Sequence, residues 1–148
     1  MEKKCYILMV SRFFPLGHPQ EGKETGFVKK ILSGEKIHTI RGNYKFWKKR
    51  IDKINAGEAY LSVRYWTGKP YRSPQETFME FSSMGIERVI RACTSTISMD
   101  NVTWYMHKDI APNDGLSNDD FVAWFKGKEI IDNAILHFTD FRYESHKS

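Results

Sequence analysis

The run Gly34-Glu35-Lys36-Ile37-His38-Thr39-Ile40-Arg41 joins a helical pattern to a strand pattern. Upstream, Phe27, Val28, Ile31 and Leu32 recur at helical spacing, which predicts a helix from about Thr25 to Ser33. Gly34 then falls where a left-handed helix cap favours glycine. His38 to Arg41 reads as a short strand. Residues two apart on a strand face the same way, so Thr39 and Arg41 share a side, with Lys36 close by.

Working outward, Tyr6 to Phe13 reads as a first strand. Phe14 to Gly22 reads as a loop by its Pro and Gly content. Downstream, Tyr44 to Asn55 reads as a helix striped by Trp47, Ile51 and Ile54 and closed by Gly57. Glu58 to Trp66 alternates like a strand. Gly68 and Pro70 break it. Thr77 to Ser82, Ile86 to Ile97 and Trp104 to His107 are further β-rich runs. Ala111 to Gly115 is turn-rich. Ser117 reads as an N-cap, with Asp120 three residues on and Phe121, Trp124 and Phe125 facing inward. That helix is expected to end near Gly127, and Ile130 to Tyr143 to form a long, bent terminal strand. The fold class is α+β and mostly β. It reads as one domain over 1–148, a closed or nearly closed β-barrel with about three short helices at its rim. The pattern alone leaves a sandwich open.

The 148 residues carry a net charge of +5. The charge is unevenly spread. Residues 1–72 hold 16 Lys/Arg against 6 Asp/Glu, and residues 73–148 hold 7 against 12. This fits one basic face and an anionic partner, or signs that mix once the chain folds. Cys5 and Cys93 are too few for a disulfide framework and read as buried thiols. The histidines lack metal-ligand spacing, so no metal and no cofactor are expected. No signal peptide or membrane span is apparent, and the expected location is cytoplasmic.

The segment Thr25 to Arg41 resembles the signature of the ASCH family, in which a helix ends in Gly-x-Lys before a strand of the form Thr-x-Arg. Gly34, Lys36, Thr39 and Arg41 fill those places. Asp114-Gly115-Leu116-Ser117, Phe121 to Phe125 and Ile135 to Phe138 resemble later elements of the same family. The resemblance implies a PUA-like barrel with a cleft beside the motif, and nucleic-acid binding. At least one small member is an amidohydrolase acting on acetylated cytidine. Carried over by position, Lys36 would be the proton acceptor, Thr39 the nucleophile and Asp114 the proton donor. Asp114 stands where that enzyme has a longer Glu.

Read from chemistry alone, a threonine needs a base before it can attack. A lysine becomes that base only when burial or a neighbouring cation lowers its pKa. Arg41 supplies such a cation and can also grip a phosphate. An edge strand with two solvated cations remains the plain alternative. Asp114 serves either as a turn former or as a carboxylate facing Lys36. The helix 44–55 interleaves Lys45, Lys48, Lys49, Arg50 and Lys53 with Tyr44 and Phe46, a mixture suited to phosphates and bases. Trp47 reads as core. Arg64, Trp66, Lys69 and Tyr71 repeat the mixture at a strand end, with Ser73 and Gln75 as candidate base-edge partners. His18 sits in a loop that could close over the cleft, and neither it nor His38 is assigned a catalytic role. Three readings follow: binding of RNA or a modified nucleotide through a basic cleft, deacylation of a modified nucleoside, and a protein-interaction domain.

Overall fold

The computed structural model describes residues 2–92, 96–99, 102–126, 128 and 130–144. Strands β1 (Lys4–Met9), β2 (His38–Arg41), β3 (Ala59–Trp66), β4 (Gln75–Phe81), β5 (Gly85–Ala92), β6 (Thr96–Met99), β7 (Val102–Tyr105) and β8 (Ile131–His137) alternate with helices α1 (Phe27–Ser33), α2 (Tyr44–Asn55) and α3 (Asn118–Phe125). A π-helical turn (Met106–Ile110) and a 3-10 turn (Pro112–Asp114) follow β7. The α+β, mostly-β class holds. Local signals account for the helix ends. Gly34 takes φ 83° at the end of α1. The Asn43 side chain caps α2 through the Phe46 N–H. Ser117 Oγ accepts the Asp120 N–H at 3.1 Å to open α3.

The strands form two sheets, ordered β1-β3-β4 and β2-β8-β5-β6-β7. β1 runs parallel to β3, and the other pairings are antiparallel. β1 and β2 are both edge strands. A closed barrel expected from strand number would pair edges; among the described residues no backbone ladder joins the two sheets. Instead the Arg41 guanidinium reaches from β2 and donates to the Met9 carbonyl at 2.6 Å. A side chain thus satisfies an edge carbonyl that a barrel would give to the ladder.

β8 lies between two apolar cores. Ala134 and Leu136 pack with Tyr6, Leu8, Ile31, Trp47, Ile51, Ile54, Leu61 and Val63. Ile135, pointing the other way, packs with Phe27, Ile40, Val89, Phe121 and Tyr143. Strand alternation therefore places Thr39 and Arg41 on the β1 side of β2, and His38 and Ile40 on the opposite side.

Several expected boundaries shift. The first strand ends at Met9 instead of Phe13 because Thr25 takes over the chain beyond it. The Thr25 hydroxyl donates to the Ser11 carbonyl at 2.7 Å, and its N–H to that of Arg12 at 2.8 Å. The run Ile86 to Ile97 divides into β5 and β6. The terminal strand stops at His137. The Glu87 carboxylate then accepts the Tyr143 and Glu144 N–H groups, turning the chain back over the second core. Leu32 lies 59 % exposed, outside the buried face expected for it, while Phe27 and Ile31 carry that face. Cys5 is a half-buried free thiol; Cys93 and Gly127 lie outside the described residues. No helix among the described residues is long and apolar enough to cross a membrane.

Ile51 is fully buried where α2 meets both sheets. Ile51→Ala should lower unfolding free energy by about 2–5 kcal/mol in urea titration. A loss below about 1 kcal/mol would contradict this packing.

Candidate functional site

The motif begins with a tight reversal. The N–H groups of Glu35 and Lys36 both donate to the Lys30 carbonyl, at 2.9 and 3.0 Å, as the chain leaves α1. Ile37 then donates to the Asn113 carbonyl at 2.9 Å. The motif and the distant 112–115 turn are thereby held side by side.

Lys36 is only 2 % exposed. Its ammonium donates to the Asp114 carbonyl at 2.7 Å and to Asp114 Oδ1 at 3.1 Å, and lies 4.2 Å from the centre of the Phe27 ring. Gly115 makes this approach possible. Its φ is 78°, and a Cβ there would stand 3.0 Å from Lys36 Cβ. Lys30 adds a second clamp, donating to the Gly115 carbonyl at 2.8 Å.

Asp114 Oδ1 also accepts from His38 Nδ1 at 3.2 Å. Asp114 Oδ2 has no donor among the described residues. Thr39, also buried, accepts a hydrogen bond from Arg41 Nη1 at 2.7 Å. Lys36, Thr39, Arg41 and Asp114 line one narrow slot of about 30 Å³, walled by Val10, Ser11, Phe27, Leu116, Trp124 and Phe125. That is room for one small group, not for a ring.

Electrostatics follow from burial. Loss of water pulls the Lys36 pKa below its ordinary value, and the Arg41 and Lys30 charges reinforce this against the opposing pull of Asp114. Burial pushes the Asp114 pKa upward, but the Lys36 charge and the His38 hydrogen bond outweigh it and hold the carboxyl below the usual range. Burial also works against the Arg41 charge, which Asp114 supports. A guanidinium keeps its proton regardless.

A wider groove of about 430 Å³ adjoins the slot through Val10 and Ser11. Arg12, Phe13, Phe14, Pro15, Trp66, Pro70 and Tyr71 help to line it. The Trp66 and Tyr71 rings lie 5.1 Å apart, and Tyr71 is 88 % exposed. Its volume lies in the usual range for small-molecule sites, about 300–1,000 Å³.

Of the residues singled out in the sequence, Lys36, Thr39, Arg41 and Asp114 meet in the slot, and Trp66 and Tyr71 line the groove. Trp124 and Phe125, read as inward-facing, wall the slot, and the other candidate ligand-binding residues lie outside both. Tyr44 lines a separate cavity with Arg88 and Trp104. Lys45 is exposed on α2, where Arg50 lies over the Phe46 ring at 4.2 Å. Arg64 is tied to Ser62 and Gln75. Lys69 is an exposed turn residue whose carbonyl accepts from Ser73 Oγ, and Gln75 Oε1 accepts from Arg64, so Ser73 and Gln75 are engaged within the protein. Trp47 is core, as read. His18 is pinned rather than free to close: Nε2 bonds the Asp120 carbonyl at 3.0 Å, and Nδ1 accepts the Gln20 N–H. Sequence reasoning missed Ser11, Arg12 and Phe27 as walls, and Tyr143 behind His38. No contiguous motif marks them, because each arrives from a different element.

Comparison with family models, curated proteins and solved structures gives no match to this chain.

Asp114→Ala leaves the Lys36 ammonium buried without a counter-charge and should cost about 3–5 kcal/mol at neutral pH. A loss below about 1 kcal/mol would contradict the buried pair. The pH dependence has a definite sign. A carboxyl whose folded pKa is depressed contributes fully above its ordinary pKa of about 3.9, and the contribution is lost as pH falls through the lower folded value. Urea unfolding of Asp114→Asn should show a smaller acid-side fall than the wild type, the remainder coming from Glu87, which is also held low.

Proposed function

We propose that the protein binds an unpaired nucleobase, in RNA or as a modified nucleotide. The ring would lie in the Trp66–Tyr71 groove and direct one edge into the Lys36–Thr39–Arg41–Asp114 slot. The observation that carries this reading is the shared wall. Val10 and Ser11 border both the aromatic groove and the charged slot. Aromatic faces stack on any base, and the slot offers what a base edge needs, a carboxylate oxygen to accept an N–H and a hydroxyl and cations for a carbonyl. Arg12, bonded to the Trp66 and Thr67 carbonyls, adds a fixed positive charge at the groove. The same proposal takes the chain as an ASCH-type, PUA-like protein whose barrel seam is bridged by Arg41, acting in the cytoplasm.

A titration of tryptophan fluorescence with a single-stranded RNA tests it. Affinity should fall with rising salt, by roughly 0.7 log units per decade of salt for each phosphate contacted. Trp66→Ala should weaken binding by about 1–3 kcal/mol. Absence of binding, or binding indifferent to salt and to Trp66, would overturn the reading.

A second reading, deacylation of a modified nucleoside such as acetylcytidine, is favoured by the convergence of Lys36, Thr39 and Asp114 together with the lowered Lys36 pKa. On this route Lys36 must first release its proton to solvent, which its lowered pKa favours, and the neutral amine would then take the Thr39 hydroxyl proton as Oγ attacks the acyl carbon. Asp114 Oδ1, 3.1 Å from the Lys36 nitrogen, would receive that proton and the carboxyl would pass it to the departing exocyclic amine of the base. Water would then hydrolyse the threonine ester. Asp114 on this route relays a proton rather than storing one, since it rests as a carboxylate. Thr39→Ala should abolish acetate release from acetylcytidine. Absence of release by the wild type would rule this reading out while leaving the first intact.

A further inference from the structure

Behind the slot, on the opposite face of β2, lies a polar relay that neither reading above uses. His38 is fully buried. Its Nδ1 meets Asp114 Oδ1 at 3.2 Å and its Nε2 meets the Tyr143 hydroxyl at 2.6 Å. Tyr143 is itself 1 % exposed, donates to the Asp109 carbonyl at 2.9 Å and accepts from Asn113 Nδ2 at 3.1 Å. An ionised carboxylate can only accept, so His38 Nδ1 carries a proton, and Nε2 is left to face the tyrosine.

Among the described residues, the groups packed against His38 leave it one anionic hydrogen-bond partner. Asp114 comes from the 3-10 turn, and Lys36 shares its Oδ1. From β8, the His137 ring stands 5.7 Å from the His38 ring, edge to face. His137 donates through Nε2 to Glu87 of β5 at 2.7 Å, and its Nδ1 is buried with no partner among the described residues. Burial lowers the His137 pKa, and the nearby His38 adds to this against Glu87. His137 is therefore neutral and does not compete for Asp114. Tyr143 closes the far side, and burial raises its pKa, so it stays a neutral phenol.

Nothing in the packing of β2 requires a histidine here. Ile40 fills the same face two residues on, against Ile135 and Phe27. An apolar residue at 38 would avoid the cost of burying a polar ring. What it would not do is hold Asp114. With Oδ1 taken by both Lys36 and His38, the carboxylate is fixed about its terminal torsion, and Oδ2 is left without a protein donor among the described residues in a side chain that lines the slot.

We propose that His38, braced by Tyr143, is the positioning residue of the site, holding Asp114 ionised with one oxygen facing the slot so that it accepts an N–H of the ligand. This deepens the nucleobase reading and rests on it. It restricts the ligand to one that presents an N–H beside a carbonyl or ring-nitrogen acceptor, as an amide or cytosine-like edge does.

Three full-length variants separate placement from folding. His38→Asn keeps a donor near the position of Nδ1. His38→Leu fills the space without one. Tyr143→Phe keeps the ring and removes only the hydroxyl. The first measurement is the titration of the Asp114 carboxyl by carbon-13 NMR, which needs no ligand. Its midpoint should stay low in the wild type and His38→Asn, and move upward in His38→Leu and, by less, in Tyr143→Phe. The second is cytidine affinity from tryptophan fluorescence. His38→Asn should remain within about threefold of the wild type, and His38→Leu should weaken binding about tenfold or more. Equal Asp114 midpoints in His38→Asn and His38→Leu would overturn the proposal, as would equal cytidine affinities. If the wild type fails to bind cytidine, the nucleobase reading falls, and the carboxyl titration still decides whether His38 sets the state of Asp114. If His38→Leu does not fold, Tyr143→Phe carries the titration, and an unmoved midpoint there overturns the proposal.

Discussion

The buried pair between Lys36 and Asp114 is the constraint around which this site is arranged. Two charges removed from water gain stability only if their geometry is close and their remaining bonds are satisfied. The chain meets that demand with backbone as well as side chains. Lys36 bonds both the carbonyl and the carboxylate of Asp114, and Gly115 keeps the turn bare so that the lysine stem can lie against it. Lys30 and the Ile37 N–H fasten the same turn from either side. The 112–115 turn, more than seventy residues from the motif, is thereby made part of it.

A second consequence comes from where the pair sits. β1 and β2 are sheet edges that face each other without a shared ladder. Arg41 crosses the gap to Met9 and also orients the Thr39 hydroxyl. An opening at an unpaired seam leaves backbone groups to be met by side chains and gives a ligand a way in. The same seam supplies Val10 and Ser11, the wall common to slot and groove. Structure and candidate function thus draw on one feature, two edges bridged by a guanidinium.

Much of this was legible because it is local. Gly34 as a left-handed cap, Ser117 as an N-cap, the Trp47–Ile51–Ile54 stripe and the shared direction of Thr39 and Arg41 all follow from spacing within a few residues. The convergence of Asp114 on Lys36 was open to a reading by family resemblance, and its chemistry alone left it either a turn former or a carboxylate facing Lys36. What stayed hidden depends on partners far apart in sequence. His38 looks like a strand residue of no special standing until Tyr143 folds back over it, and that return exists because Glu87 holds the Tyr143 and Glu144 N–H groups. The groove wall at Ser11 and Arg12 appears only once Thr25 captures their carbonyls. The exposed Leu32 shows the converse error, where helical spacing marked a face wider than the core could cover.

The basic residues of the first half are the remaining point of division. Lys45, Lys49 and Lys53 are exposed on α2, while the slot and groove lie at the β1–β2 seam. Charge alone would send an anionic partner to the helix; shape and chemistry send a base to the seam. Amide chemical-shift mapping of the full chain with a single-stranded RNA decides between them. The account requires the largest changes at Ser11, Arg12, Thr39, Arg41, Trp66 and Tyr71. Changes confined to the exposed face of α2, with the seam unmoved, would contradict it.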